Sequence, residues 1–141
     1  MTSRTDIIKA QEKRTKILVC GTRGTFDNYK EIVKKKLSDL YWNERGMSAQ
    51  GSDFKFIIIE GCCEMSADVY AEEWVKENNQ EIKHFPSTSG NYLKRNIEMV
   101  KELEKGDYVL AFWNGFSYGT AHTIATAVKR GISVLIVNLR E

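Results

Sequence analysis

Three short stretches of the sequence gather residues suited to holding an anion. "CGTRGT" (20–25) and "WNGFSYGT" (113–120) mix glycines with hydroxyl side chains, and "EGCCEMS" (60–66) adds carboxylates and two thiols. Glycine lets backbone approach a ligand closely. A helix that starts after such a loop aims free N–H groups and its positive dipole end at the same place. Phosphate is the ligand that best matches this chemistry. The candidate contacts are Gly21, Thr22 and Arg23 in the first stretch and Gly61 in the second. Asn114, Gly115, Ser117, Gly119 and Thr120 supply the third. Neither the dinucleotide fingerprint G-x-G-x-x-G nor the P-loop pattern is present, so no known phosphate motif is matched by spacing alone.

Other side chains add to this set. Glu60 stands at a strand end, where a carboxylate can accept hydrogen bonds from ribose hydroxyls; the alternative is a cap or salt-bridge partner at the sheet edge. Arg95 offers a planar fork for a phosphate. These two are also the candidates for catalysis if the ligand is turned over. His122 follows the third glycine turn and suits either acid–base chemistry or a structural role, whereas His84 reads as structural. Trp113, Phe116 and Tyr118 suit base stacking or packing. Asp68 falls in the first turn of a helix, where a carboxylate complements the dipole. Cys20, Cys62 and Cys63 are odd in number and lack C-x-x-C spacing, so they form no disulfide framework or zinc knuckle. They read as small packing residues, and no metal or cofactor is expected.

Alternating elements must position these loops. "KILVC" (16–20), "FKFIIIE" (54–60), the weaker "EIKHF", "DYVLAFW" (107–113) and "ISVLIV" read as strands. Between them, apolar residues recur at helical spacing: Tyr29, Val33, Leu37, Leu40 and Tyr41, then Ala67, Tyr70, Ala71 and Trp74. Leu93, Ile97, Val100 and Leu103 form the next stripe, and Ala121, Ile124, Ala125 and Val128 the last, in a helix from about Thr120 to Arg130. Asp27 and Ser66 are the predicted N-caps of the first two helices, and Gly106 and Gly131 stop the last two. "NERGMSAQGSD" reads as a loop. Five strands alternating with four helices imply right-handed βαβ units and a parallel sheet covered on both faces. Residues 1–14 read as a polar basic tail and 15–141 as one Rossmann-like α/β domain, a three-layer sandwich with strand order 3-2-1-4-5.

Charge narrows the function classes. The net charge is +2, yet residues 1–16 alone carry +3, so the body is slightly acidic. A nucleic-acid binder usually carries a basic face, and here only the tail and "KEIVKKKL" (30–37) supply one. No apolar run is long enough to span a bilayer, and no signal peptide is evident, so the expected location is the cytoplasm, with no membrane partner.

In order along residues 16–137, "CGTRGTFDNYKEI", "IEGCCEMSADVYAEEWVKE", "HFPSTSGNYLKRNIEMV" and "LAFWNGFSYGTAHTIATAVKRGI" resemble the YspA-like branch of the SLOG superfamily. That resemblance implies a Rossmann-like fold and binding of a nucleotide or nucleotide derivative. It aligns Gly119-Thr120 with the turn that opens the phosphate-binding helix. It aligns Arg95 and Met99 with the helix that supplies a catalytic arginine in the Lonely-guy phosphoribohydrolases of the superfamily. Those enzymes carry a glutamate where this chain has Thr123. Met65-Ser66 stands where the branch has glycine, and Asn114 replaces a common aspartate. The expectation is therefore a binder of a nucleotide-type small molecule, for sensing or sequestration, that self-associates as a homodimer or larger. An N-glycosidase acting on nucleoside 5′-monophosphates is the alternative, and single-stranded nucleic-acid binding, as in the superfamily's DprA proteins, the second alternative.

Overall fold

The computed structural model describes residues 14–87 and 91–139. The basic tail, apart from Arg14, lies outside them. Among the described residues, five strands, β1 (Thr15–Gly21), β2 (Phe56–Glu60), β3 (Glu81–His84), β4 (Tyr108–Trp113) and β5 (Ser133–Asn138), alternate with four helices. These helices are α1 (Tyr29–Met47), α2 (Ala67–Asn78), α3 (Tyr92–Lys101) and α4 (Tyr118–Lys129), and a 3-10 turn lies at Gly51–Asp53. All strands are parallel, in the order β3-β2-β1-β4-β5. The chain is thus a Rossmann-like α/β domain with the predicted strand order.

Alternation along the strands divides the core in two. Ile17 and Val19 of β1, Phe56 and Ile58 of β2, and Leu110 and Phe112 of β4 face α1 and α2, where Val33, Leu37 and Trp74 meet them. Leu18, Cys20, Ile59, Val109 and Ala111 face Met99 and Val100 of α3 and Ala127 of α4 on the other side. The order in which successive strands are added reverses at β1, whose neighbours are β2 and β4. The loops after β1 and β4 therefore diverge there and leave a crevice at their carboxyl ends.

Several boundaries differ from the sequence expectation. Helix α1 begins at Tyr29 after a left-handed Asn28, with no side-chain cap, rather than being capped by Asp27. It also continues through residues read as loop. Glu44 accepts a hydrogen bond from Tyr108 Oη at 2.8 Å, and the Arg45 guanidinium lies 4.8 Å from the Trp42 ring centroid. The tertiary bond to Tyr108 and the intrahelical Arg45–Trp42 contact offset the poor helix propensity of Gly46. Helix α3 ends at Lys101, although Leu103 stays buried beyond it. Helix α4 begins two residues early, at Tyr118. Among the described residues no helix is long and apolar enough to cross a membrane.

Candidate functional site

A cavity of about 510 Å³ opens at the carboxyl ends of β1 and β4, a volume in the range of small-molecule sites. Tyr29 holds its first wall. The phenol donates to Thr22 O at 2.9 Å and accepts from Ala67 N at 3.1 Å, tying the loop after β1 to the start of α2. Gly21 is required beneath it. A β-carbon there would collide with the Tyr29 hydroxyl and lie 2.9 Å from Ala67 Cβ. Gly24 N adds a bond to Met65 O at 2.8 Å, joining the first two loops.

Asn114 shapes the third loop. Its backbone N–H donates to Thr22 Oγ1 at 3.1 Å, and its Oδ1 accepts from the amides of Phe116 (2.9 Å) and Ser117 (3.0 Å). Gly115 takes φ 88° inside this turn, a conformation that glycine adopts without steric cost. Ser117 then precedes α4 without capping it through its side chain. The first-turn amides of α4 have no intrahelical acceptor, and Ser117, Gly119 and Thr120 line the cavity. Trp113 Nε1 donates to Ser117 O at 3.0 Å, so this tryptophan braces the loop. Phe116 projects into solvent, and Tyr118, also largely exposed, lines the cavity.

Arg95 enters from α3. Its Nη1 donates to Gly61 O at 2.9 Å and to Cys63 Sγ at 3.6 Å, and its Nη2 to Asn96 Oδ1 at 3.1 Å. None of these acceptors is a carboxylate, and the buried Nε has no acceptor. A guanidinium so placed keeps its positive charge available to a ligand. Asn96 is itself buried; its Nδ2 reaches Gly119 O at 3.3 Å and so couples α3 to the turn that opens α4.

Asp68 supplies the facing acid. It is buried and lines the cavity, and its Oδ2 accepts from the amides of Gly61 and Cys63, both at 3.1 Å. Burial pushes its carboxyl up to about 6, despite those two amides and Arg95, which pull the other way. The ligand contacts expected from the sequence do not include Asp68. Its place two residues after the capping Ser66, on a helix that starts at the crevice, is the signal that could have marked it.

Of the residues predicted for the site, Gly21, Arg23, Arg95, Ser117, Gly119 and Thr120 line the cavity together. Thr22, Gly61 and Asn114 form its frame through the bonds above, and Gly115 through its place in the turn. Glu60 lies elsewhere. Its buried carboxylate turns to the β3 edge, where it meets His84 Nδ1, the Cys62 amide (2.8 Å) and the Cys62 thiol (3.3 Å). Parallel register explains this, because Glu60 sits directly beside His84. Cys62 is exposed as a residue, yet partial desolvation of its thiol, together with the hydrogen-bonded Glu60 carboxylate, pushes that thiol up to about 12. His122 Nδ1 lies 3.4 Å from Asn96 Nδ2, behind the α4 turn. Thr123 is buried, with its hydroxyl bonded back to Gly119 O at 3.2 Å.

Fold and site together define a Rossmann-like α/β protein with a ligand-sized crevice at its topological switch point. Comparison with family models, curated proteins and solved structures gave no match.

Proposed function

We propose that this protein binds a nucleotide or nucleotide-derived small molecule in the crevice, to sense or sequester it. The observation that carries the reading is Arg95: a cavity-lining guanidinium with no carboxylate among its acceptors and an unmatched buried Nε. The uncapped start of α4 gives the same anion a second, neutral set of donors. A phosphate bound between them leaves Asp68 to accept a hydrogen bond from a sugar hydroxyl. The ordered resemblance of the sequence to the YspA-like SLOG branch supports the same ligand class. Asp68, rather than Glu60, takes the sugar-holding role in this reading, because Glu60 faces away from the cavity.

A second reading is favoured by one specific feature. A buried carboxyl raised to about 6 beside the proposed sugar position could serve an N-glycosidase as acid or base. Thr123, with its hydroxyl bonded to Gly119 O, cannot take that role. The slightly acidic body gives little support to the nucleic-acid reading. We place the protein in the cytoplasm, in keeping with its three free thiols. A homodimer or larger assembly fits the exposed Tyr92, Phe116 and Tyr118 beside the crevice.

Mass spectrometry of small molecules released by heat from the purified full chain tests the proposal. A phosphorylated nucleoside derivative at near-stoichiometric yield is the expected result. A released ligand without phosphate would refute the reading.

A further inference from the structure

The cluster at the β2–β3 edge stands apart from the cavity and is left unused by the function proposed above. Glu60 and His84 are register partners on neighbouring parallel strands. The chain then doubles back at Cys62, which adopts φ 58°. A cysteine gains nothing locally from that left-handed conformation. The turn swings its sulfur towards the two strand-end side chains. Glu60 Oε1, Cys62 Sγ and His84 Nδ1 all lie within 4.8 Å of one another.

Two features separate this cluster from an ordinary hydrogen-bond network. The first is where the groups point. A nucleophilic Cys–His–Glu relay uses the two ring nitrogens separately, one for the acid and one for the thiol. Here Glu60 and Cys62 both approach Nδ1 of His84. Three donor atoms gathered this closely can close around a single ion. The second is charge. The Glu60 side chain is 1% exposed, and among the described residues its sole charge partner is His84, whose side chain is 41% exposed. A buried carboxylate is ordinarily paired with a cation or coordinated to a metal.

We propose that Glu60, Cys62 and His84 form a binding site for a divalent cation of the zinc class, with a fourth position open to water. One thiolate, one imidazole and one carboxylate suit zinc, which takes sulfur, nitrogen and oxygen donors in tetrahedral array. Bond lengths of about 2.3 Å to sulfur and about 2.0–2.1 Å to nitrogen or oxygen give tetrahedral sulfur-to-nitrogen and sulfur-to-oxygen edges of about 3.5 Å. The corresponding separations here are 3.4 Å to His84 Nδ1 and 3.3 Å to Glu60 Oε1; the third pair, His84 Nδ1 and Glu60 Oε1, is in direct hydrogen-bond contact and must part to admit the ion. The Cys62 amide, donating to Glu60 Oε2 at 2.8 Å, fixes the carboxylate from behind, as outer-shell donors do at metal centres. Exposed Cys62 and His84 leave the mouth open to solvent. Binding displaces the thiol proton into solution, so it strengthens as pH rises.

The test uses the full chain, reduced and stripped with a chelator. Zn²⁺ is titrated against a chromophoric competitor, and Co²⁺ is titrated while the absorption spectrum is recorded. The chain has only two histidines and three cysteines, which keeps the donor assignment simple. One equivalent should bind, with a thiolate-to-cobalt charge-transfer band in the near ultraviolet. Cys62→Ser should abolish that band. Cys62→Ser and His84→Ala should each weaken Zn²⁺ binding by more than about tenfold, with circular dichroism confirming the fold. Cys63→Ser, at the neighbouring thiol, should leave both readouts near wild type. Absence of saturable binding to the wild-type chain would overturn the proposal. So would a charge-transfer band that survives Cys62→Ser or disappears in Cys63→Ser.

Discussion

A β-carbon on Gly61 would lie 2.7 Å from both Cζ and Nη1 of Arg95. The missing side chain at the end of β2 is what lets the guanidinium lie against the backbone and donate to Gly61 O. The atoms that would be displaced belong to the free end of a long side chain, so the fold can absorb the change. Gly61→Ala is therefore expected to leave the midpoint of thermal unfolding nearly unchanged while weakening nucleotide binding by at least about tenfold, the scale of one charge-assisted hydrogen bond. Calorimetric titration beside a melting curve checks both halves. Unaltered affinity in the variant would show that the position of Arg95 does not matter.

Tyr29 joins two of the three loops through a single hydroxyl. Tyr29→Phe removes the bond to Thr22 O and leaves the Ala67 amide without its acceptor, both in a buried setting. The expected loss is about 1–3 kcal/mol of folding free energy, read from urea denaturation at constant m-value. A change below about 0.5 kcal/mol would mean that the knot contributes little.

Asp68 makes stability depend on pH in a stated direction. Its carboxyl titrates near 6 when folded, against 3.8 for the ordinary group. The folded state thus holds the proton more tightly than the unfolded chain. The resulting stabilisation is full below about pH 3.8 and is lost as pH rises through about 6. Within that window the wild type should lose up to ~1.4 kcal/mol per pH unit relative to Asp68→Asn. Subtracting the two stability-versus-pH curves isolates this group from the other carboxylates. A flat difference curve would contradict the assignment.

The sheet was readable in advance because its strands are short apolar runs separated by helical stripes. "DYVLAFW" and "FKFIIIE" admit few alternatives once right-handed parallel crossovers are required. The third loop was readable for a similar local reason, since Asn114, Gly115 and Ser117 build their turn from neighbours in the chain. What stayed hidden depends on pairings across the sheet. The side to which Glu60 turns is set by its register with His84, and the register of a short edge strand such as β3 is not written in its own residues. Asn96 is buried because α3 rests against α4, a contact invisible in the spacing of either helix. The extension of α1 through Gly46 rests on Glu44 meeting Tyr108, 64 residues away.

Catalysis separates the two readings of the crevice. A phosphoribohydrolase needs a charge or base near the sugar carbon, and Thr123 offers neither. Prolonged incubation of stoichiometric protein with nucleoside monophosphates, followed by chromatography, should show no appreciable free base. Multiple turnover that Asp68→Asn abolishes, with binding intact, would replace the binder with an enzyme.

In the proposed function, Arg95 and the start of α4 hold a phosphate. Equilibrium binding of purine and pyrimidine nucleoside mono- and diphosphates, each beside its unphosphorylated nucleoside, tests it most directly in the wild type, Arg95→Met and Gly119→Asp. The second variant fits sterically, because a β-carbon at Gly119 meets nothing closer than Tyr92 Cε2 at 3.6 Å, yet it brings a negative charge to the proposed anion site. At least one nucleotide should bind far more tightly than its nucleoside. Arg95→Met should lower that affinity by roughly 10- to 150-fold, the equivalent of about 1.5–3 kcal/mol, and Gly119→Asp should abolish it. Equal affinity for nucleotide and nucleoside, or wild-type affinity in either folded variant, would contradict the account.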